Sequence, residues 1–353
     1  MAHELARQKN GLKTMAYREG TETPWHGDDC GRITAGMTLD QMREVSGLNY
    51  DILELPSLYE FGGKMMEAPN RKMLVRSDDG SYLSQMSENK YDVRQPKDIV
   101  EFFRDLCDFG GFEIETLGAL FDGKKVWCLA KRKGGKAATG KMGKDIIKPY
   151  IMLADSYDGT LATVARMTSV RVVCNNTLRF SEKDKATQVK IGHNQKFNAD
   201  KVKAQLGEID RAFADYMESM KNFGSVQMSN DFRERFFLKL IGKTSPDAVK
   251  ENKHFFGKTA GEGSAWLRAK IDRDLLTTNS ANTVAKLMKL AEPGNSPGAD
   301  YSPNTLYNAL QTVTYFVDHE KQANDGGRWQ SASFGSGAVL KDSALELATS
   351  IAS

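Results

Sequence analysis

FEIETLGALFDGKKVWCLAK, residues 112–131, is the stretch that decides the fold class. Apolar residues alternate through both halves, and Asp122-Gly123 divides them. Asp-Gly tolerates the positive φ that tight hairpin turns require, so the stretch predicts a β-hairpin. The same punctuation recurs on either side. Asp79-Gly80 lies between KMLVRS and SYLSQM, and Asp158-Gly159 between KPYIMLADS and TLATVARM. Three such hairpins predict an antiparallel meander. Between the first two, Pro96 suits the first turn of a helix, with Ile99, Phe102, Phe103 and Leu106 as its buried stripe. Gly110-Gly111 stops that helix. A shorter one opens at Thr38, with Gln41 completing a capping box and Gly47 ending it.

Upstream, residues 1–36 carry Pro24, five glycines and little periodicity, and read as an irregular arm. Downstream of Asn175 the pattern turns helical. Val202, Leu206, Ile209, Phe213, Met217 and Met220 recur every three or four residues, one apolar face of a helix over 198–222. Phe232, Phe236, Phe237 and Leu240 mark another over 230–241. Further helices are expected over 264–277 and 281–291. A fifth opens at Ser302-Pro303 and runs through Leu306, Leu310, Val313 and Val317. AEPGNSPGADYSP, 291–303, reads as a linker, and the segment from Gly326 as a glycine-rich loop before a short amphipathic helix.

The fold class is therefore α+β: an antiparallel β-hairpin meander with packed helices, followed by a mainly helical C-terminal region. The expected divisions are an arm (1–36), a core domain (37–180), a helical region (181–290), the linker (291–303) and C-terminal helices with a glycine-rich tail (304–353).

The chain has 353 residues, is 40% hydrophobic and 27% charged, and carries a net charge of +3. That balance argues against a protein that binds a polyanion with its whole surface, but leaves room for a local basic patch. Cys30, Cys107, Cys128 and Cys174 form no C-x-x-C pair, and read as buried free thiols in a reducing compartment. No apolar run reaches signal-peptide or membrane-span length, so a cytoplasmic protein without membrane contact is expected.

The most distinctive segment is KRKGGKAATGKMGKDIIK, 131–148. It holds Lys131, Arg132, Lys133, Lys136, Lys141, Lys144 and Lys148 against one acid, Asp145, and four glycines make it pliable. A basic hairpin tip can follow a phosphate backbone and gain from counterion release. Trp127 and Tyr150 flank it as candidate stacking rings. A solvated loop kept soluble by lysines is the plainer reading. The segment also contains Gly135 to Lys141, which fits G-x-x-x-x-G-K. Met142 stands where Ser or Thr would hold magnesium, and the chain continues into an apparent strand instead of the helix a phosphate loop must open.

The five histidines do not pair at metal-ligand spacing, and neither metal nor cofactor is implied. Asp28 and Asp29 beside His26 leave a metal-dependent nuclease as one alternative. Arg166, Arg171 and Arg179 punctuate LATVARMTSVRVVCNNTLRF. They suit phosphate clamping or ion pairs within the fold, and Arg166 and Arg171 are candidates to line a binding groove.

The same stretches resemble the phage- and plasmid-borne family known as domain of unknown function 932. Thr23-Pro24-Trp25-His26-Gly27 matches its opening. Ser84 to Ser87 with Tyr91, Val93 and Gln95, and the hairpin 112–131, follow in order. Ser156-Tyr157-Asp158-Gly159 with Thr168 to Leu178 is the most specific match. Phe334-Gly335-Ser336-Gly337 with Lys341 and Ala344 matches the closing motif. Tyr157 stands where the family is expected to carry histidine, so a catalytic histidine there would be missing from this chain. The basic insert at 133–146 looks peculiar to it.

The resemblance implies a mobile-element setting and a bacterial host cytoplasm, and brings no established activity. The order helix, hairpin, two strands, helix is also similar to the core of phage single-strand annealing proteins, oligomers that hold DNA in a basic groove. The leading expectation is a non-catalytic nucleic-acid-binding protein, single-stranded DNA favoured, acting as a homo-oligomer in recombination or replication. A protein-interaction factor that modulates a host defence or replication enzyme is the main alternative, with the Phe-rich helix near 232–240 as its contact.

Overall fold

The computed structural model describes residues 5–20, 29–133, 140–142, 145–171, 177–179, 188–191, 209–241, 278–296, 302–322 and 327–353. Among the described residues, nine strands form one sheet and three form another.

The large sheet contains β1 (Lys13–Arg18), β2 (Cys30–Ile33), β6 (Phe112–Leu120), β7 (Lys125–Arg132), β8 (Gly140–Met142), β9 (Asp145–Ser156), β10 (Thr163–Arg171), β11 (Thr177–Arg179) and β12 (Gln188–Ile191). Its order is β11-β10-β9-β7-β6-β1-β2, with β12 also on β10 and β8 also on β9. All pairs are antiparallel except β1 with β2. The small sheet runs β3 (Ile52–Phe61), β4 (Lys64–Arg76), β5 (Tyr82–Ser87), also antiparallel.

The three expected hairpins are all present. Asp79-Gly80 joins β4 to β5, Asp122-Gly123 joins β6 to β7, and Asp158-Gly159 joins β9 to β10. Asp122 has φ 56°, a left-handed conformation that Asp adopts more readily than most residues.

α1 (Leu39–Ser46) has the expected capping box between Thr38 and Gln41, and Gly47 closes it at φ 72°. α2 (Pro96–Gly110) ends on Gly111 at φ 67°. Its stripe of Ile99, Phe102, Phe103 and Leu106 is buried, against a sheet face that includes Val126, Cys128 and Ala130. The opposite residues of β7 serve a second, smaller cluster, where Trp127 packs with Met15, Tyr17, Leu120 and Ala154. Period-two alternation thus feeds two cores from one strand.

The helical part comprises α3 (Ile209–Ser225), α4 (Asn230–Ile241), α5 (Thr278–Leu290), α6 (Leu306–Tyr315, continuing as a π-turn over Phe316–Glu320), α7 (Gly327–Phe334) and α8 (Ser336–Ala352). Met220, Phe223, Phe236, Phe237, Leu287, Leu310 and Ala348 form its interior.

Three expectations change. The stretch read as an irregular arm supplies β1 and β2. The expected glycine-rich loop is largely α7, and the helix after it is long. Phe236 and Phe237 are wholly buried, so they are core and not a surface for a partner. The helix expected over 264–277, and Val202 and Leu206 of the one over 198–222, lie outside the described residues.

Candidate nucleic-acid interface

The basic segment sits where β7 leaves the sheet and β9 returns to it. β8 pairs tightly back on β9, with Lys141 opposite Ile146. Part of the segment is therefore a short hairpin and not loop alone. The Gly135–Lys141 run ends inside β8 and is followed by β9, not by a helix, and this removes the structural context of a phosphate loop.

At the root of the segment the fold already engages the basic groups. The Lys131 ammonium lies 3.4 Å from Glu115 and 4.0 Å from Glu113, the residue opposite it on β6. Arg132 donates to the Gly110 carbonyl at 2.7 Å, and its guanidinium sits 5.3 Å from the Phe112 ring centre. It thereby satisfies a carbonyl at the C-terminal end of α2, where a cation is favoured by the helix dipole. Lys133 is exposed, with Asp108 at 4.0 Å. Lys148 is half-buried on β9, opposite Val170. Lys136 and Lys144 lie outside the described residues, and the side chains of Lys141 and Arg171 are likewise not described.

Arg166 is 3% exposed on β10. Its guanidinium donates to the Ser333 carbonyl and lies 4.3 Å from the Phe334 ring centre, tying the sheet to the end of α7. Trp127 and Tyr150 are 6% and 4% exposed, so both rings serve the interior in this arrangement.

Beside Lys133, a cleft of about 510 Å³ opens between α1, α2 and the start of β6. Arg18, Lys97, Arg104 and Lys133 line it, and so do Asp40, Glu101, Asp108 and Glu113. Arg18 reaches Glu113 at 3.5 Å, and Arg104 reaches Asp105 at 2.8 Å. Matched signs leave no net positive field to draw in a polyanion. The positive excess lies farther along the segment.

Asp29, a candidate metal ligand, accepts from Lys13 and Arg7, each at 2.8 Å. The Lys13 hydrogen bond is the foremost cause that holds its carboxyl down, to a pKa of about 2. Asp28 lies outside the described residues. Among the described residues, no group of three or more His, Cys, Asp or Glu side chains is placed to hold a metal ion. Cys30, Cys107 and Cys128 are buried, and burial pushes the Cys107 and Cys128 thiols up.

Residue-by-residue reading missed the junction between the two sheets. Ser84 Oγ donates to the Tyr157 carbonyl, and Tyr91 Oη to the Ser156 carbonyl. Arg94 reaches Thr163, and lies 3.9 Å from the fully buried Asp155. Lys125 meets Asp158 at 3.2 Å. Tyr157 is 1% exposed, and burial pushes its hydroxyl well up. These are the stretches Ser84–Ser87, Tyr91 and Ser156–Gly159, and in this fold they clamp the small sheet to the large one. Their crowding with polar groups at the end of an apolar strand was the signal available in the sequence.

With that junction in place, comparison with known proteins is decisive on one point. Residues 83–338 match the family model described as Domain of unknown function (DUF932). The chain belongs to this family. The match covers well over half of the 353 residues, from β5 through the first turn of α8. No curated protein and no solved structure matches the chain. The closing motif of this DUF932 chain also has a structural explanation. A Cβ on Gly337 would lie 2.7 Å from Val317 Cγ1 and 2.9 Å from the Ser331 carbonyl oxygen. Lys341, 1% exposed, pairs with Asp318 at 2.8 Å. Among the described residues, no helix is long and apolar enough to cross a membrane.

Proposed function

We propose that this DUF932 protein binds nucleic acid without sequence preference through segment 131–148, and that single strands are its favoured ligand. The observation that carries the reading is the concentration of charge. Seven basic residues stand against one acid within 18 positions, in a chain whose net charge is only +3. The segment joins β7 to β9, neighbouring strands of the large sheet, so the frame holds both of its ends. Lys133, Lys136, Lys141 and Lys144 would contact phosphates. Lys131 and Arg132 act chiefly in the fold, through Glu115 and the end of α2. Arg166 and Arg171 would act behind the tip, Arg166 by holding β10 to α7. The activity belongs with recombination or replication of a mobile element, annealing included, and needs no cofactor.

The test is the variant Lys133→Ala/Lys136→Ala/Lys141→Ala/Lys144→Ala, which spares the two root residues. Affinity should fall for every oligonucleotide sequence. For single strands, the slope of log K against log salt should flatten by about 0.7 per lost phosphate contact. Unchanged affinity and slope would overturn the assignment.

A further inference from the structure

The closing motif, Phe334-Gly335-Ser336-Gly337, holds a group of reactive side chains that the function above does not use. Ser336 opens α8 and is exposed. Lys321 closes the π-turn after α6, where its N–H donates to the Phe316 carbonyl. Its ammonium donates to Ser336 Oγ at 2.9 Å. Ser331 Oγ, near the end of α7, lies 3.3 Å from Ser336 Oγ and accepts from the Gly337 N–H at 3.2 Å. That N–H fixes Ser331 as an acceptor, so its own proton is left for Ser336, and the Ser336 proton for Lys321. The surroundings favour a neutral Lys321 amine. The side chain is half-buried, and burial pushes its ammonium down. It stands at the N-terminal end of a 17-residue helix, where the dipole disfavours a cation. The carboxylates nearby in sequence are engaged elsewhere, Asp318 with Lys341 and Glu320 with Lys286, each at 2.8 Å. His319 packs on Tyr315, with ring centres 4.7 Å apart.

We propose that Ser336 and Lys321 form a serine–lysine acyl-transfer centre that hydrolyses an ester or amide with a small apolar acyl group. A hydroxyl within hydrogen-bond reach of a base, itself oriented by a third group, is the arrangement that activates a serine. Ser336 Oγ bonds to the carbonyl carbon as its proton passes to the neutral Lys321 amine. The carbonyl electron pair moves onto oxygen. Gly335 gives α8 no side-chain cap, so first-turn N–H groups remain for that developing charge. Collapse breaks the bond to the leaving alcohol or amine, which takes the proton back from Lys321. Water, deprotonated by the same amine, then attacks the acyl group, releases the acid and returns the proton to Ser336. Val339, one turn along α8 from Ser336, is 58% exposed and offers an acyl chain an apolar contact.

The test treats the full chain with an alkyl fluorophosphonate, whose fluoride leaves as a serine oxygen bonds to phosphorus, and locates the adduct by peptide mass spectrometry. The wild type should carry it on Ser336 and should hydrolyse p-nitrophenyl butyrate. Ser336→Ala should do neither. Lys321→Met should slow both reactions by at least about a hundredfold, the lower end of what a positioned general base supplies. Lys321→Arg keeps the charge and the hydrogen-bond donors but cannot lose its proton, so it separates a base from a structural contact. It should slow both reactions as Lys321→Met does, with circular dichroism unchanged. No adduct on Ser336, no ester turnover by the wild type, or Lys321→Arg reacting at the wild-type rate would each overturn the inference.

Discussion

Asp158 lies in the turn that joins β9 to β10, and its carboxylate faces Lys125, whose side chain is 4% exposed. Burial pushes the Asp158 carboxyl upward. Hydrogen bonds from Thr160 and the Lys125 ammonium outweigh that, and hold it below the usual carboxylate value. A carboxyl depressed in the folded state stabilises fully above its unfolded pKa of about 3.9, and that contribution fades as pH falls through the folded value. Asp158→Asn should therefore cost about 2–3 kcal/mol at pH 7, because it leaves Lys125 short of its carboxylate in a dry site. The gap from wild type should narrow well below pH 3.9. Urea unfolding at pH 7 and at pH 2.5 measures both, and an equal gap at the two pH values would contradict the role given to this pair. Asp158 was legible as a turn residue from Asp-Gly. Its ion pair was not, because Lys125 is distant in sequence and the pairing depends on how the two hairpins stack.

At the scale of elements, what could be read locally was read correctly. Asp-Gly turns located three hairpins, and Thr38, Gln41, Gly47, Pro96 and Gly111 bounded two helices, because capping and turn chemistry are carried by a few adjacent residues. Elements held by distant partners were hidden. β1 gains its place from β6, at Met15 opposite Gly118 and Tyr17 opposite Thr116. No local pattern announces that pairing. β3 was missed for another reason: most of its residues are exposed on both sides, so burial imposes no period of two. The glycine-rich end concealed α7 and the length of α8, since Gly337 serves close helix contact and not flexibility. Gly118 offers a sharp test of the β1–β6 junction. A Cβ there would lie 2.6 Å from the Thr14 carbonyl oxygen and 3.0 Å from Met15 Cα, both backbone atoms. Gly118→Ala should destabilise the fold by about 1–3 kcal/mol, as overpacking does. A thermal midpoint equal to the wild type would show that β1 can shift freely.

Across the whole molecule, charge and apolar surface are segregated. The cationic excess of 131–148 continues from strands of the large sheet, the exposed apolar face belongs to the small one, and the polar junction at Ser156–Gly159 fixes one sheet against the other. The candidate site was legible in the sequence as a cluster of lysines. What remained hidden was the division of labour within it, because Glu113, Glu115 and the end of α2 meet Lys131 and Arg132 only once β6 and β7 are paired. The most direct test of the central claim is fluorescence anisotropy of the purified chain with labelled single-stranded and duplex DNA, at low and at moderate salt. Nucleic-acid binding through the basic segment predicts association that is tighter for single strands and weakens steeply with salt. An anisotropy that stays flat for both ligands even at low salt would contradict it.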